Sequence, residues 1–134
     1  MKSVTVFNYK DGCLDAIQTI DSDISQTSRR KGSADIHLTS DGKFLYSSNR
    51  LRSDGIAIFS VNPETGLLTS VGYQLTGIHP RNFLITPNDK FLLCANLNSN
   101  NIQIFEINSV TGLLCDTGKE ILLEKPVCLK WVKK

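Results

Sequence analysis

The sequence predicts an all-β chain of β-propeller blades, four-stranded antiparallel units standing side by side. Three observations predict it. A strand pattern recurs about every 46 residues, no segment keeps helical spacing, and turn residues punctuate the apolar runs.

The repeat is explicit. Lys43-Phe44-Leu45-Tyr46-Ser47-Ser48-Asn49 matches Lys90-Phe91-Leu92-Leu93-Cys94-Ala95-Asn96 at an offset of 47. Ile56-Ala57-Ile58-Phe59-Ser60-Val61-Asn62 matches Ile102-Gln103-Ile104-Phe105-Glu106-Ile107-Asn108, and Thr65-Gly66-Leu67-Leu68 matches Thr111-Gly112-Leu113-Leu114, both at 46. The single lost residue falls in the polar tract 50–55, opposite the shorter 97–101, where a surface turn tolerates it.

Each unit reads as four strands. In the first, strand 35–39 leads to a Ser40-Asp41-Gly42 turn, followed by strands 43–48, 56–61 and 67–75, with Asn62-Pro63-Glu64-Thr65-Gly66 as the last turn. The copy runs 82–86, 91–95, 102–107 and 113–123, and its first turn is Pro87-Asn88-Asp89. Partial copies flank these. Val4-Thr5-Val6-Phe7-Asn8-Tyr9 resembles a third strand, with Asp11-Gly12-Cys13-Leu14 at the following turn. Lys125-Pro126 stands where His79-Pro80 stands, so 127–132 is expected to be another first strand. The predicted layout is the end of one blade plus a connection over 1–33, full blades over 34–80 and 81–126, and the opening strand of a closing blade over 127–134. That makes eleven strands, about two and a half to three blades. A β-sandwich has a similar strand count but seldom repeats its sequence at a fixed period.

Composition narrows the class. Of 134 residues 40% are hydrophobic and 21% charged, which suits a globular chain, and the formal net charge of +2 supplies no field for nucleic acid. No apolar run reaches membrane-spanning length, and the N-terminus alternates like a strand rather than a signal peptide, so a soluble cytoplasmic protein is expected. The four cysteines, Cys13, Cys94, Cys115 and Cys128, lack metal-ligand spacing and read as buried reduced thiols. Trp131 reads as core. No acidic cluster has Ca²⁺-loop spacing, and no cofactor or metal is expected. The basic tract Arg29-Arg30-Lys31 reads as a solvated loop, with attraction of a phosphorylated substrate as the sharper alternative.

Closing a propeller takes at least four blades, so an arc of fewer than three leaves apolar faces bare at both ends. The expected partners are missing N-terminal blades, or other copies of the chain associating through those faces.

The ordered set Ala34-Asp35-Ile36-His37, Ser40-Asp41-Gly42-Lys43-Phe44-Leu45-Tyr46, Ser48-Asn49-Arg50, His79-Pro80-Arg81-Asn82-Phe83, Phe91-Leu92-Leu93-Cys94-Ala95-Asn96 and Pro126-Val127-Cys128-Leu129-Lys130 resembles the seven-bladed lactonase family. That family includes propeller-type 6-phosphogluconolactonases and carboxymuconate cyclases. The match spans most of residues 33–132, and the upstream blades are absent from the chain. The resemblance implies the C-terminal portion of an enzyme hydrolysing a small anionic sugar-acid lactone. The alternatives are a carboxymuconate cycloisomerase, or a non-catalytic scaffold or truncated fragment.

Blade topology suggests a site of its own accord. First strands line the channel, and the start of a first strand shares a rim with the end of a second. Asp35 and His37, Asn49 and Arg50, then His79, Arg81, Asn82 and Asn96 are therefore expected at one channel mouth. Lactone hydrolysis needs an activated water and a donor for the developing oxyanion. His37 or His79 is expected to be the base, with Asp35 orienting an imidazole. Arg50 and Arg81 would bind anionic oxygen, and Asn49, Asn82 and Asn96 would contact substrate. The competing reading is structural throughout: a backbone bond between blades for His37, a rim turn for His79, ion pairing for the arginines, and turn-holding for Asn49 and Asn96.

Overall fold

The computed structural model describes residues 2–24 and 32–132. Ten strands follow in order: β1 (Ser3–Lys10), β2 (Cys13–Asp21), β3 (Gly32–Leu38), β4 (Phe44–Arg50), β5 (Gly55–Val61), β6 (Leu68–Leu75), β7 (Pro80–Ile85), β8 (Phe91–Asn96), β9 (Asn101–Ile107) and β10 (Leu114–Leu122). They form the two-stranded sheet β1-β2 and the four-stranded antiparallel meanders β3-β4-β5-β6 and β7-β8-β9-β10. The repeated sequence units are thus two equivalent, adjacent blades, preceded by the outer half of a third.

Local chemistry dictates the turns. Lys10 pairs with Cys13 across Asp11 and Gly12, both at positive φ, a two-residue hairpin that matches the strand twist. Between first and second strands, Thr39 Oγ1 accepts from Phe44 N (3.1 Å) and Asp41 Oδ1 accepts from Lys43 N (3.0 Å). The second blade repeats this with Thr86 and Phe91 (3.1 Å) and with Asn88 and Lys90 (3.2 Å). The Lys43 backbone N–H, then the Thr39 hydroxyl and the Lys43 side chain, hold the Asp41 carboxyl down to about 2. Between third and fourth strands, Asn62 Oδ1 accepts from Glu64 and Thr65 N–H, and Asn108 Oδ1 from Val110 and Thr111 N–H.

Period-two alternation decides which neighbour each residue meets. Phe44, Tyr46, Ile56 and Ile58 pack with Phe83, Leu92, Cys94, Phe105, Ile107 and Leu114 between the two complete blades. The alternate positions Leu45, Ala57 and Phe59 turn the other way, onto Val4, Val6 and Ile20 of the half blade. Tyr46 is fully buried in the first cluster, where its hydroxyl donates to Gly112 O at 2.7 Å and burial pushes its ionisation well above the ordinary range. Tyr46→Phe is expected to cost about 1–1.5 kcal/mol, because it strands a buried carbonyl without filling or emptying space. An unchanged urea midpoint would discount that bond.

Three expectations change. Residues 127–132 carry no strand: a first strand becomes one only by pairing with a second, and no described residue offers it that partner. Only Cys94 is buried, its thiol pushed up to about 12 by desolvation, whereas Cys13, Cys115 and Cys128 are exposed because they lie on blade surfaces that no described neighbour covers. All four are free thiols. Trp131 is 57% exposed rather than core, since it belongs to that unpaired segment. The tract Arg29-Arg30-Lys31 lies outside the described residues.

Candidate functional site

The predicted constellation divides into two groups along the inner strands. In β3, Gly32 pairs with Arg50 and His37 with Tyr46, so His37 sits at the Tyr46 level, four β4 residues from Arg50 or roughly 13 Å at the rise of a strand. His37 therefore lines a cleft nearer the opposite rim, whose wall Asn82 also joins, while Arg50 and His79 stay at the expected mouth; Asp35 and Asn82, three and two residues in from the starts of β3 and β7, stand between them. Convergence of all eight residues on one mouth is not what the fold produces. Strand β4 runs on to Arg50, and antiparallel register carries β3 back to Gly32, three residues earlier than the sequence pattern placed its start.

In the first group His37 and Asp35, two apart on one strand, share a face. His37 Nε2 donates to Asp35 Oδ2 at 3.1 Å, which leaves Nδ1 as the lone-pair nitrogen. The same Oδ2 accepts from Phe83 N (3.1 Å) and Asn82 Nδ2 (2.5 Å), and Oδ1 accepts from Ile36 N (2.9 Å). The His37 ring meets Phe83 edge-on, centroids 4.9 Å apart, and its side chain remains 41% exposed. Asn82 also accepts from Leu129 N at 2.6 Å. The cleft beside this dyad measures about 280 Å³, and Lys130, Trp131, Ser40 and Asp89 complete its wall. The expected pairing of Asp35 with an imidazole is present, with His37.

In the second group Arg50 Nη1 lies 2.9 Å from His79 Nε2. A guanidinium only donates, so Nε2 is the acceptor and the free ring nitrogen carries the proton. Desolvation first, and then the Arg50 charge, lowers the His79 pKa; Arg81 acts the same way and Asp54 opposes it. In this arrangement Arg50 occupies the lone pair that a base would use, which favours His37 over His79 of the two expected bases. The His79 backbone N–H donates to Asp54 Oδ2 (2.8 Å), and the residue holds φ +64° at the mouth of a second cleft of about 430 Å³, which Arg52 and Asn98 also line. Arg81 is exposed beside it.

A depressed folded-state pKa means that the unfolded chain takes up the proton first. His79 thus costs nothing above about 6.5 and lowers stability progressively below it. His79→Asn, which keeps a residue tolerant of positive φ, is expected to lose less melting temperature than the parent between about pH 7.5 and 5.5. Parallel curves would contradict this.

Asn49 and Asn96 line neither cleft. Both are fully buried with their amides consumed internally. Asn49 donates to Ser22 O and accepts from the Ser22 and Ser33 hydroxyls (3.2 Å each), while Asn96 donates to Asn101 Oδ1 (3.0 Å) and Gln103 Oε1 (2.9 Å). They hold turns and tie neighbouring segments. Sequence reasoning missed Asp54, Lys130 and the Leu129 N–H. Asp54 carried a faint signal, an acid within the same polar tract as Arg50, whereas a backbone donor carries none.

Residues 1–131 match the profile of the family described as lactonase, 7-bladed beta-propeller. A curated 6-phosphogluconolactonase of Formosa agariphila is 56% identical over 66 residues, which are 48% of this chain and 19% of that protein. The fold superposes on a candidate 6-phosphogluconolactonase of Bacteroides uniformis with TM-score 0.91 and 60% identity, covering 97% of this chain and 37% of that one. It also superposes on a periplasmic gluconolactonase of Pseudomonas aeruginosa with TM-score 0.93 and 30% identity, covering 98% and 37%. The chain therefore spans well under half the length of these relatives.

Proposed function

Since the chain belongs to the lactonase family of seven-bladed β-propellers, we propose that its blades form part of a 6-phosphogluconolactonase-type enzyme that hydrolyses a sugar-acid lactone. The observation that carries this reading is the Asp35–His37 pair beside an open channel-side cleft. With the proton held on Nε2 by Asp35, Nδ1 of His37 takes a proton from water as its oxygen bonds to the lactone carbonyl carbon. The tetrahedral intermediate then collapses. The ring C–O bond breaks, the leaving oxygen takes the proton back from the imidazolium, and an open hydroxy acid results. Lys130, on the cleft wall, supplies a cation for the oxyanion or for an acidic substituent. At about 280 Å³ the cleft lies at the small end of ligand sites and suits one sugar ring rather than a chain of them.

Arg50 and His79 lie about four strand residues along from His37, at the mouth, with Arg81 between His79 and Asn82 in sequence. Their excess positive charge suits the gathering of anionic substrate at the mouth. The apolar residues left bare at both ends, among them Leu14, Leu122 and Val127, suit burial under the further blades that the longer relatives possess. Turnover of 6-phosphogluconolactone above its spontaneous hydrolysis tests the reading, for this chain alone and for the chain joined to blades supplying the relatives' remaining length. Turnover is expected in the second case. Conversion of carboxymuconate alone, or of neither compound, would refute the assignment.

A further inference from the structure

Three hydrogen bonds join the segment 127–132 to the imidazole. Leu129 N–H donates to Asn82 Oδ1 (2.6 Å), Asn82 Nδ2 donates to Asp35 Oδ2 (2.5 Å), and His37 Nε2 donates to that same oxygen (3.1 Å). The positions follow the repeat: 35, 82 and 129 are each 47 apart on successive inner segments. A side chain at one such position grips the backbone of the next segment, Asp35 taking Phe83 N–H and Asn82 taking Leu129 N–H. Position 129 is leucine, so the series of polar grips stops there.

We propose that Asn82 is a positioning residue that couples the seating of residues 127–132 to the arrangement of the His37 base, an inference that rests on the dyad reading above. Of the two links between Leu129 N–H and His37, the amide alone has one donor end and one acceptor end. Asp35, which only accepts when ionised, and Leu129 N–H, which only donates, demand the same orientation of it. Turning the amide over would set its carbonyl against the carboxylate and its NH₂ against an N–H, so both contacts are made together or lost together. Coupling of this kind is reciprocal: whatever loosens the segment loosens the carboxylate, and the reverse. The segment also brings Lys130 and Trp131 to the cleft wall. Seating it therefore builds the pocket and fixes the base in one step.

The test needs no substrate. The chain has two histidines, so nitrogen NMR of this chain reads the His37 tautomer directly, with His79 as an internal check of folding. Hydrogen exchange reads the Leu129 amide. Asn82→Leu removes both contacts. Asn82→Asp keeps the shape and an acceptor for Leu129 but sets a carboxylate against Asp35. In both variants His37 is expected to pass from a uniform Nε2–H form to a mixture. In Asn82→Leu the Leu129 amide is also expected to lose about tenfold in protection. Leu129→Pro, which deletes the donor, is expected to disturb His37 in the same direction, while Leu129→Ala leaves it alone. An unchanged His37 tautomer in Asn82→Leu and Leu129→Pro, with His79 native-like, would overturn the coupling whether or not the protein hydrolyses lactones. Failure of the lactonase assay with these NMR responses intact would instead remove only the catalytic role.

Discussion

Alanine at position 112 is expected to destabilise the chain by roughly 2–4 kcal/mol, against about 1–2 for alanine at position 66. The two glycines occupy the same turn of successive blades, at φ +74° and +71°. Each N–H donates to the asparagine carbonyl four residues earlier, at 2.7 and 2.8 Å. Their backbone strain on gaining a Cβ is therefore shared. Their surroundings differ. A Cβ on Gly112 would overlap the Phe44 ring, whose three nearest carbons lie within 2.7 Å, whereas a Cβ on Gly66 meets nothing within 4 Å. Phe44 is itself buried in the inter-blade core, and Gly112 O takes the Tyr46 hydroxyl, so neither side can yield without opening the interface. The matched pair separates turn strain from packing, and urea midpoints read both. Equal losses would mean that blades touch only loosely at this turn.

His37→Gln, in a protein with all its blades, is expected to lower kcat on the lactone by about 10²–10⁴ with little change in KM, the range that a lost general base commands. Glutamine keeps a polar group near Asp35 and an edge towards Phe83, but it cannot take a proton at neutral pH. Asp35→Asn should lose activity as well, because an amide no longer fixes the proton on Nε2 and also surrenders the acceptor used by Phe83 N–H. His79→Asn is the control, with kcat expected nearly unchanged. The Arg50 guanidinium already engages the His79 lone pair, and Arg50 pairs with Gly32, at the far end of β3 from His37. Full activity in His37→Gln would remove the base assigned here.

The blade repeat was legible because its causes are local. Alternation along 43–48 and 56–61, and the Thr-Gly-Leu-Leu turns, depend on residues within one or two turns of each other, and both copies fold alike. Asp35 beside His37 was equally legible, since two-residue spacing on a strand sets both side chains on one face. The site beyond that pair was not. His79 looked like a base until Arg50 was found on its Nε2, a contact across 29 positions of sequence. Asn49 and Asn96 looked like rim contacts, yet each lies inside, spending its amide on partners that no strand pattern marks. Trp131 carried the composition of a core residue without a neighbour to bury it.

By itself the sequence determined the class of sheet, the two equivalent blades, their turns, and the face on which each strand residue stands. These follow from side-chain sterics and hydrogen bonding within short stretches, where chain connectivity holds the partners at fixed spacing. Only the tertiary structure decided which polar residues meet. That depends on where each strand begins, and antiparallel pairing sets the beginning: β4 reaching Arg50 draws β3 back to Gly32 and carries His37 away from the mouth. A strand start three residues earlier, invisible to periodicity, sets His37 apart from the arginine at the mouth.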